Sequence, residues 1–298
     1  MLRWLLGLRP NSPPVGAKPK PAAPAKANAK PAAAAAKPEP APPKPPALPR
    51  SGYLIESHAR TDQGRVRGHN EDSHFVSDGG LWAVADGMGG HEGGEWASGR
   101  IVEELGKIDL ARGFGETCEE ALESAIKANR QILAEGKNRG KSMGSTLVML
   151  VIEGKRYGVL WAGDSRAYLM RGGKLEKLSR DHTQVQEMVA RGLMTQEQAQ
   201  GHPMGHVLSR AVGVQKEIEL DRVDGEIQPG DIFLLCSDGL HGVVGDEAIA
   251  EHFSREAPDR ALDKLIDLTL EKGAPDNVTG IAIWISEPTL LSLPEAKL

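Results

Sequence analysis

Residues 82–100 read WAVADGMGGHEGGEWASGR. An apolar run stops at Asp86-Gly87, and five more glycines follow within a dozen positions. Three readings compete: a phosphate-cradling loop, a tight turn, or one corner of a metal site. The dinucleotide fingerprint G-x-G-x-x-G fails, because Gly87 and Gly89 would need a third glycine where Glu92 stands. The phosphate loop G-x-x-x-x-G-K-[ST] ends correctly at Gly140-Lys141-Ser142, but its first glycine falls on Glu135. Neither stretch is expected to bind a nucleotide.

Outside that stretch the charge is uneven. Residues 1–50 hold nine Lys/Arg and one Glu, a balance of +8, while the 298-residue chain is −5 overall, which leaves −13 on residues 51–298. A domain this acidic does not suit a phosphate backbone, whose affinity comes from clustered Lys and Arg, so no nucleic-acid partner is expected. Cys118 and Cys236 are isolated and in no CxxC pattern, which argues against a disulfide framework or a zinc finger and fits a reducing, cytoplasmic compartment. No apolar run approaches the ~18 residues of a membrane span. The patch in MLRWLLGLRP is short and no clear small-residue cleavage site follows it, so no signal peptide is expected.

Fourteen of the twenty prolines fall within positions 10–49, interleaved with Ala and Lys. Proline blocks helix continuation, and the segment has almost nothing large to bury against the entropy of ordering. Residues 1–50 are therefore read as a disordered, basic Pro/Ala/Lys-rich tail, 51–290 as one folded domain and 291–298 as a short C-terminal tail. Within the domain, YLIESHA, HFVSD and LWAVAD read as strands, and 92–108 and 116–135 as helices. STLVMLVIE, RYGVLWAG, RAYLMRG and KLEKL follow as a strand meander, with a charged helix over 183–200. DIFLLCSDG reads as a strand, 246–272 as two helices and VTGIAIWIS as a closing strand. Grouped rather than alternating elements predict an α+β fold.

One pattern recurs along these strands. AVAD ends at Asp86, VLWAGD at Asp164 and LLCSD at Asp238, and Asp276-Asn277 directly precedes the closing strand. A single Asp-Gly is ordinarily a turn. Four acids at the ends of buried strands converge if those strands share one sheet edge, and close like charges stay ionised only with cations among them. All-oxygen ligation suits Mg²⁺ or Mn²⁺. Upstream, TDQGRVRGHNEDS adds Glu71 and Asp72, with Arg67 four residues before Glu71. Arg67 is either a salt-bridge partner or a fork that holds a phosphate.

Together these residues carry a resemblance. Asp62-x-Gly64-x-x-Arg67-x-x-Asn70-Glu71-Asp72-Ser73, Ala85-Asp86-Gly87-Met88-Gly89-Gly90-His91, Gly163-Asp164-Ser165-Arg166, Ser237-Asp238-Gly239-Leu240 and Asp276-Asn277-Val278-Thr279 occur in the order and rough spacing of the metal-dependent protein phosphatases. That is the PPM family, the type 2C serine/threonine phosphatases, and the chain resembles a bacterial member from about residue 53 to 286.

The resemblance implies a four-layer α/β/β/α sandwich of two antiparallel sheets flanked by helices. It implies that Asp86 bridges two Mn²⁺ or Mg²⁺ ions, that the Gly87 carbonyl ligates one and that Asp238 and Asp276 hold the other. Glu71 and Asp72 match acids that contact the metals through water, and Asp164 a ligand of a third, weaker ion with Asp238 shared. Arg67 matches the phosphate-binding arginine, Asn277 a supporting residue, and 180–213 a flap bordering the cleft. The implied reaction is hydrolysis of phosphoserine and phosphothreonine on proteins by a water held between the ions, in a monomer opposing a serine/threonine kinase. Two other readings share the residues: a non-catalytic phosphoprotein-binding module, which would ordinarily lose metal ligands that this chain keeps, and a hydrolase of small phosphoesters. Met88 stands where many eukaryotic relatives have a proton-donating histidine; His69 and His91 are read as solvated or structural.

Overall fold

The computed structural model describes residues 52–288 except 91 and 200. The expected tails at 1–50 and 291–298, and His91, lie outside the described residues. Chain order begins β1 (Leu54–Asp62), β2 (Asp72–Val76), β3 (Leu81–Met88), α1 (Glu92–Leu105), α2 (Phe114–Arg139). It continues β4 (Gly144–Ser145), β5 (Leu147–Glu153), β6 (Arg156–Ala162), β7 (Arg166–Arg171), β8 (Lys174–Lys177), α3 (Gln184–Ala190), α4 (Gln196–Ala199). It closes β9 (Asp221–Glu226), β10 (Ile232–Cys236), α5 (Asp238–Arg255), α6 (Pro258–Glu271), β11 (Val278–Ser286).

The strands form two sheets, ordered β1-β11-β10-β7-β8 and β2-β3-β5-β6-β9, with β4 added to β3, and their pairings are antiparallel. Successive strand side chains point to opposite faces, and here both faces are covered. In β3, Leu81, Ala83 and Ala85 pack with Ile101 and Leu105 of α1 and Ile132 of α2. Trp82 and Val84 instead meet Phe233, Leu235, Ile281 and Ile283 of the other sheet. On that sheet's far side Leu234, Cys236 and Ala282 pack with Leu240 and Ile249 of α5 and Leu262 and Leu265 of α6. Burial on both faces explains why the strands read as continuous apolar runs. The result is the α/β/β/α sandwich implied by the resemblance.

Three elements differ from the sequence reading. The expected helix over 183–200 is two helices, because Thr195 starts a second one with a reciprocal cap. Its Oγ1 accepts from the Gln198 N–H at 3.3 Å, while Gln198 Oε1 accepts from the Thr195 N–H at 2.9 Å. The helix expected from 246 is present, but it is joined across a break at Gly245, whose φ of 77° no helix accommodates, to an unanticipated helical stretch from Asp238. Strand β9, DRVDGE, was not anticipated at all. It lies at the edge of its sheet beside β6, and Val223 is its single large apolar residue.

Candidate active site

The acids gather at one end of both sheets rather than along one sheet edge. Asp86 and Gly87 lie in β3, and Asp72 opens β2 directly opposite Asp86. Asp238 begins α5 straight after β10, and Asp276 stands two residues before β11. Asp164 sits between β6 and β7, where the chain passes from one sheet to the other. A cleft of about 520 Å³ is lined by Arg67, Glu71, Asp86, Gly87, Asp164, Asp238, Asp276 and Asn277. Asp72 does not line it; its side chain is buried and its Oδ2 accepts from Ser237 Oγ at 2.9 Å.

Hydrogen bonds between elements fix these positions. The Asp86 N–H donates to Thr146 Oγ1 at 3.0 Å, and the Thr146 N–H donates back to the Asp86 carbonyl at 2.9 Å. The Thr146 hydroxyl also meets Ser165 Oγ at 2.7 Å, which joins β3 to the Asp164 turn. His241 is 3.1 Å from the Asp164 carbonyl through Nε2. A carbonyl only accepts, so that nitrogen carries the proton. Asn277 has the most partners. Its Nδ2 donates to the carbonyls of Gln63 and His69, both at 2.8 Å, and its Oδ1 accepts from the Glu71 N–H at 2.8 Å. One buried amide thus ties the Arg67 loop to the residue beside Asp276.

Gly87 is needed for space. Its φ is not left-handed, but a Cβ there would drive into the Gly94 and Glu71 carbonyls. The close approach brings β3, the start of β2 and the first turn of α1 together. A Cβ on Gly94 would likewise strike the Glu71 carboxylate.

The electrostatics are those of crowded anions. Burial, together with the Asp238 and Asp276 charges, pushes Asp72 up to about 7, partly offset by the nearby hydroxyls of Thr279 and Ser237. Asp164 is pushed up to about 8 by burial and then by Asp238 and Asp181. Burial, followed by Asp72, Asp238, Asp164 and Asp276, holds Asp86 well above the usual carboxylate range. Asp238 is raised by burial and by Asp276. Among the described residues no three His, Cys, Asp or Glu form a tight coordination sphere by themselves. The donor set nonetheless fits hard divalent cations. The available groups are carboxylate oxygens and carbonyls, and Asp72 Oδ1 is buried with no hydrogen-bond partner. A cation among these acids would remove the repulsion that holds their protons on.

Arg67 stands at the rim. Its Nη2 donates to Asp276 Oδ2 at 2.6 Å, with the arginine side chain 54% exposed and the aspartate 34%. So exposed a pair contributes only ~0–1 kcal/mol, too little to commit the guanidinium to a purely structural role. The sequence reading did not single out His206, which lines the cleft with Nδ1 3.9 Å from Asp238 Oδ2. A lone histidine in a loop carries no local signal; the fold of 180–213 delivers it. Thr146, Ser165 and Ser237 were also missed as supports, although Ser237 directly precedes Asp238-Gly239. His69 is exposed, and its carbonyl rather than its ring serves Asn277.

The fold matches those of solved bacterial proteins, phosphatases among them. One is PppA, described as a key regulatory component of T6SS in Pseudomonas aeruginosa: TM-score 0.72, 39% identity, 78% of this chain and 97% of that one. Another is the catalytic domain of the serine/threonine phosphatase PstP in complex with two manganese ions: TM-score 0.71, 35% identity, 78% of this chain and 99% of that one. In sequence the chain is 39% identical to serine/threonine protein phosphatase PstP of Mycobacterium tuberculosis over 235 residues, 78% of this chain but 45% of that protein. It thus spans less than half the length of that relative. It is 34% identical to the serine/threonine phosphatase stp of Listeria monocytogenes over 238 residues, 75% of this chain and 93% of that one. A family model described as Protein phosphatase 2C matches residues 59–274, and the chain belongs to that family.

Proposed function

We propose that this chain is a metal-dependent serine/threonine protein phosphatase acting on phosphoserine and phosphothreonine in proteins. The observation that supports this most is the convergence of six acids from two sheets on one end of the sandwich, with Arg67 at the rim of their cleft. Asp86, Asp238, Asp276 and the Gly87 carbonyl would hold two Mn²⁺ or Mg²⁺ ions, with Glu71 and Asp72 supporting them and Asp164 serving a third, weaker site. When bound, such ions would polarise phosphoryl oxygens and lower the pKa of the attacking water. Arg67 would bind and orient the phosphate: a guanidinium has five N–H donors, and the Asp276 bond uses one. Asn277 would position Asp276 and the Arg67 loop relative to each other.

The wider reading is that the 51–290 domain works as a monomer in the cytoplasm and opposes a serine/threonine kinase, with 1–50 as a basic tether and 291–298 a short tail. Among the described residues no helix is long and apolar enough to cross a membrane.

The deciding experiment is hydrolysis of a phosphoserine or phosphothreonine peptide by the full chain with Mn²⁺, with excess chelator, and with Asp238→Asn. Activity with Mn²⁺ that is lost in both other arms is the expected result. Unchanged turnover in chelator would sink the metal-dependent reading. Binding without hydrolysis would indicate a phosphoprotein-binding module, and turnover of a small aryl phosphate alone a hydrolase of small phosphoesters.

A further inference from the structure

Beside the acids, the same cleft has an apolar wall. Successive residues of a strand alternate faces, so Asp86 and Met88 of β3 point to the same side, about 7 Å apart along the strand. Met88 pairs with Gly144 of β4, and a Cβ on Gly144 would lie 3.0 Å from Met88 Cε and 2.8 Å from Val214 Cγ2. Met88 and Val214 therefore flank the bare backbone of Gly144, and Leu208 and Ala211 line the cleft with them.

Exposed apolar surface is concentrated nearby in sequence. Among the described residues the large exposed apolar side chains are Val66, Val76, Met188, Leu193, Met204, Val207 and Val214. All but Val76 fall in 66–71 or 188–214, the stretches that also contribute Arg67, Glu71, His206 and Leu208 to the cleft. Scattered exposed apolar residues need no explanation, and of these seven described residues Val214 is the one that lines the cleft.

Arg210, which also lines the cleft, already donates from Nη1 to Asp221 Oδ1 at 2.6 Å. An acidic side chain placed on the wall would lose water without gaining a partner.

We infer that this wall receives an apolar side chain one or two positions from the phosphorylated residue of the substrate. The inference rests on the phosphatase reading and adds its peptide class: phosphopeptides with Leu, Ile, Val, Met or Phe beside the phosphoresidue, in preference to acidic ones. Spacing supports that occupant. An extended peptide rises about 3.3 Å per residue, so side chains two positions apart stand about 7 Å apart, the separation along β3 between Asp86 among the acids and Met88 on the wall.

The test uses the full chain with Mn²⁺ and phosphopeptides that differ only in the flanking residues, Leu, Asp or Lys, with a small aryl phosphate as the reference lacking any flank. The Leu peptide is expected to exceed the Asp peptide by ~10-fold or more in kcat/KM, the scale of burying one aliphatic side chain. Val214→Asp should collapse that ratio and favour the Lys peptide; Leu208→Ala should shrink it. Val214 is 46% exposed, so its replacement leaves the core intact, which a melting curve checks. Equal rates on Leu and Asp peptides, or a ratio indifferent to both substitutions, would overturn the inference while leaving the phosphatase reading in place. No turnover of any peptide or of the aryl phosphate would overturn both.

Discussion

Arg67 and Asp276, 209 residues apart in sequence, share a 2.6 Å hydrogen bond from Nη2 to Oδ2 at the mouth of the cleft. The pair joins a loop cation to a candidate metal ligand and leaves the remaining guanidinium donors for an anion. Arg67→Ala is expected to lower kcat/KM on a phosphopeptide by ~2–3 kcal/mol, roughly 30- to 150-fold, the scale of a lost charge-assisted bond. Stability should change by less than ~1 kcal/mol, because the pair is exposed. Intact kinetics with a large fall in melting temperature would instead make Arg67 a structural residue.

Asn277 should show the opposite balance. Its side chain serves the Gln63 and His69 carbonyls and the Glu71 N–H, and the residue is 5% exposed. Asn277→Ala orphans groups that are only partly reached by water, at a cost of ~2–4 kcal/mol in urea unfolding. A change below ~0.5 kcal/mol would show that the Arg67 loop is held by other contacts.

Two glycines near the site make a matched pair. Gly87→Ala drives a methyl into backbone carbonyls and should destabilise by ~2 kcal/mol or more. In α1, Gly99 has nothing within 4 Å of a Cβ, so Gly99→Ala should stabilise by ~0.5–1 kcal/mol. Thermal unfolding of both variants checks the contrast, and equal shifts would contradict it.

In chelator, stability should fall as pH rises from about 6.5 to 8. Across that window folded Asp164, pushed up to about 8, and Asp72, pushed up to about 7, retain protons that the unfolded chain has already lost. A raised carboxylate stabilises below its unfolded pKa, and that contribution disappears as pH climbs through the folded value. Below about 6.5 the slope should flatten, because buried His241, held down to about 3 chiefly by burial, resists protonation that the unfolded state accepts. Mn²⁺ should raise the melting temperature most at the alkaline end, where it no longer competes with those protons. A melting temperature that rises from pH 6.5 to 8 in chelator would contradict the assignment.

The sequence was most informative where local chemistry decides the outcome. Apolar runs that end in Asp86, Asp164 and Asp238 revealed both the strands and the candidate ligands, because buried strands and their turns are local features. Strand β9 was hidden because an edge strand needs few apolar residues, and DRVDGE has one large one. The start of α5 was masked by Gly239, Gly242 and Gly245, which read as loop until Ser237, Asn277 and the core packing of Leu240 place them. His206 and the triple anchoring by Asn277 are tertiary: each depends on segments far apart in sequence arriving at one spot. That the acids come from two sheets was legible through the family resemblance alone, since strand order is not encoded beside each strand.

The seam between the sheets therefore has unequal ends. Asp72 and Asp86 belong to one layer and Asp238 and Asp276 to the other, so their repulsion acts as a wedge at the cleft end of the sandwich. At the opposite end Arg171 of one sheet donates from Nη2 to the Glu226 carbonyl of the other at 2.7 Å, while its Nε and Nη2 also hold Asp231 at 2.7 and 2.6 Å. With the wedge ionised and uncompensated, the layers are expected to open from the cleft inward, as a book opens from its fore-edge while the spine holds. Amide hydrogens at Cys236 and Thr279 are then expected to exchange with solvent before those at Ile283 and Ile285.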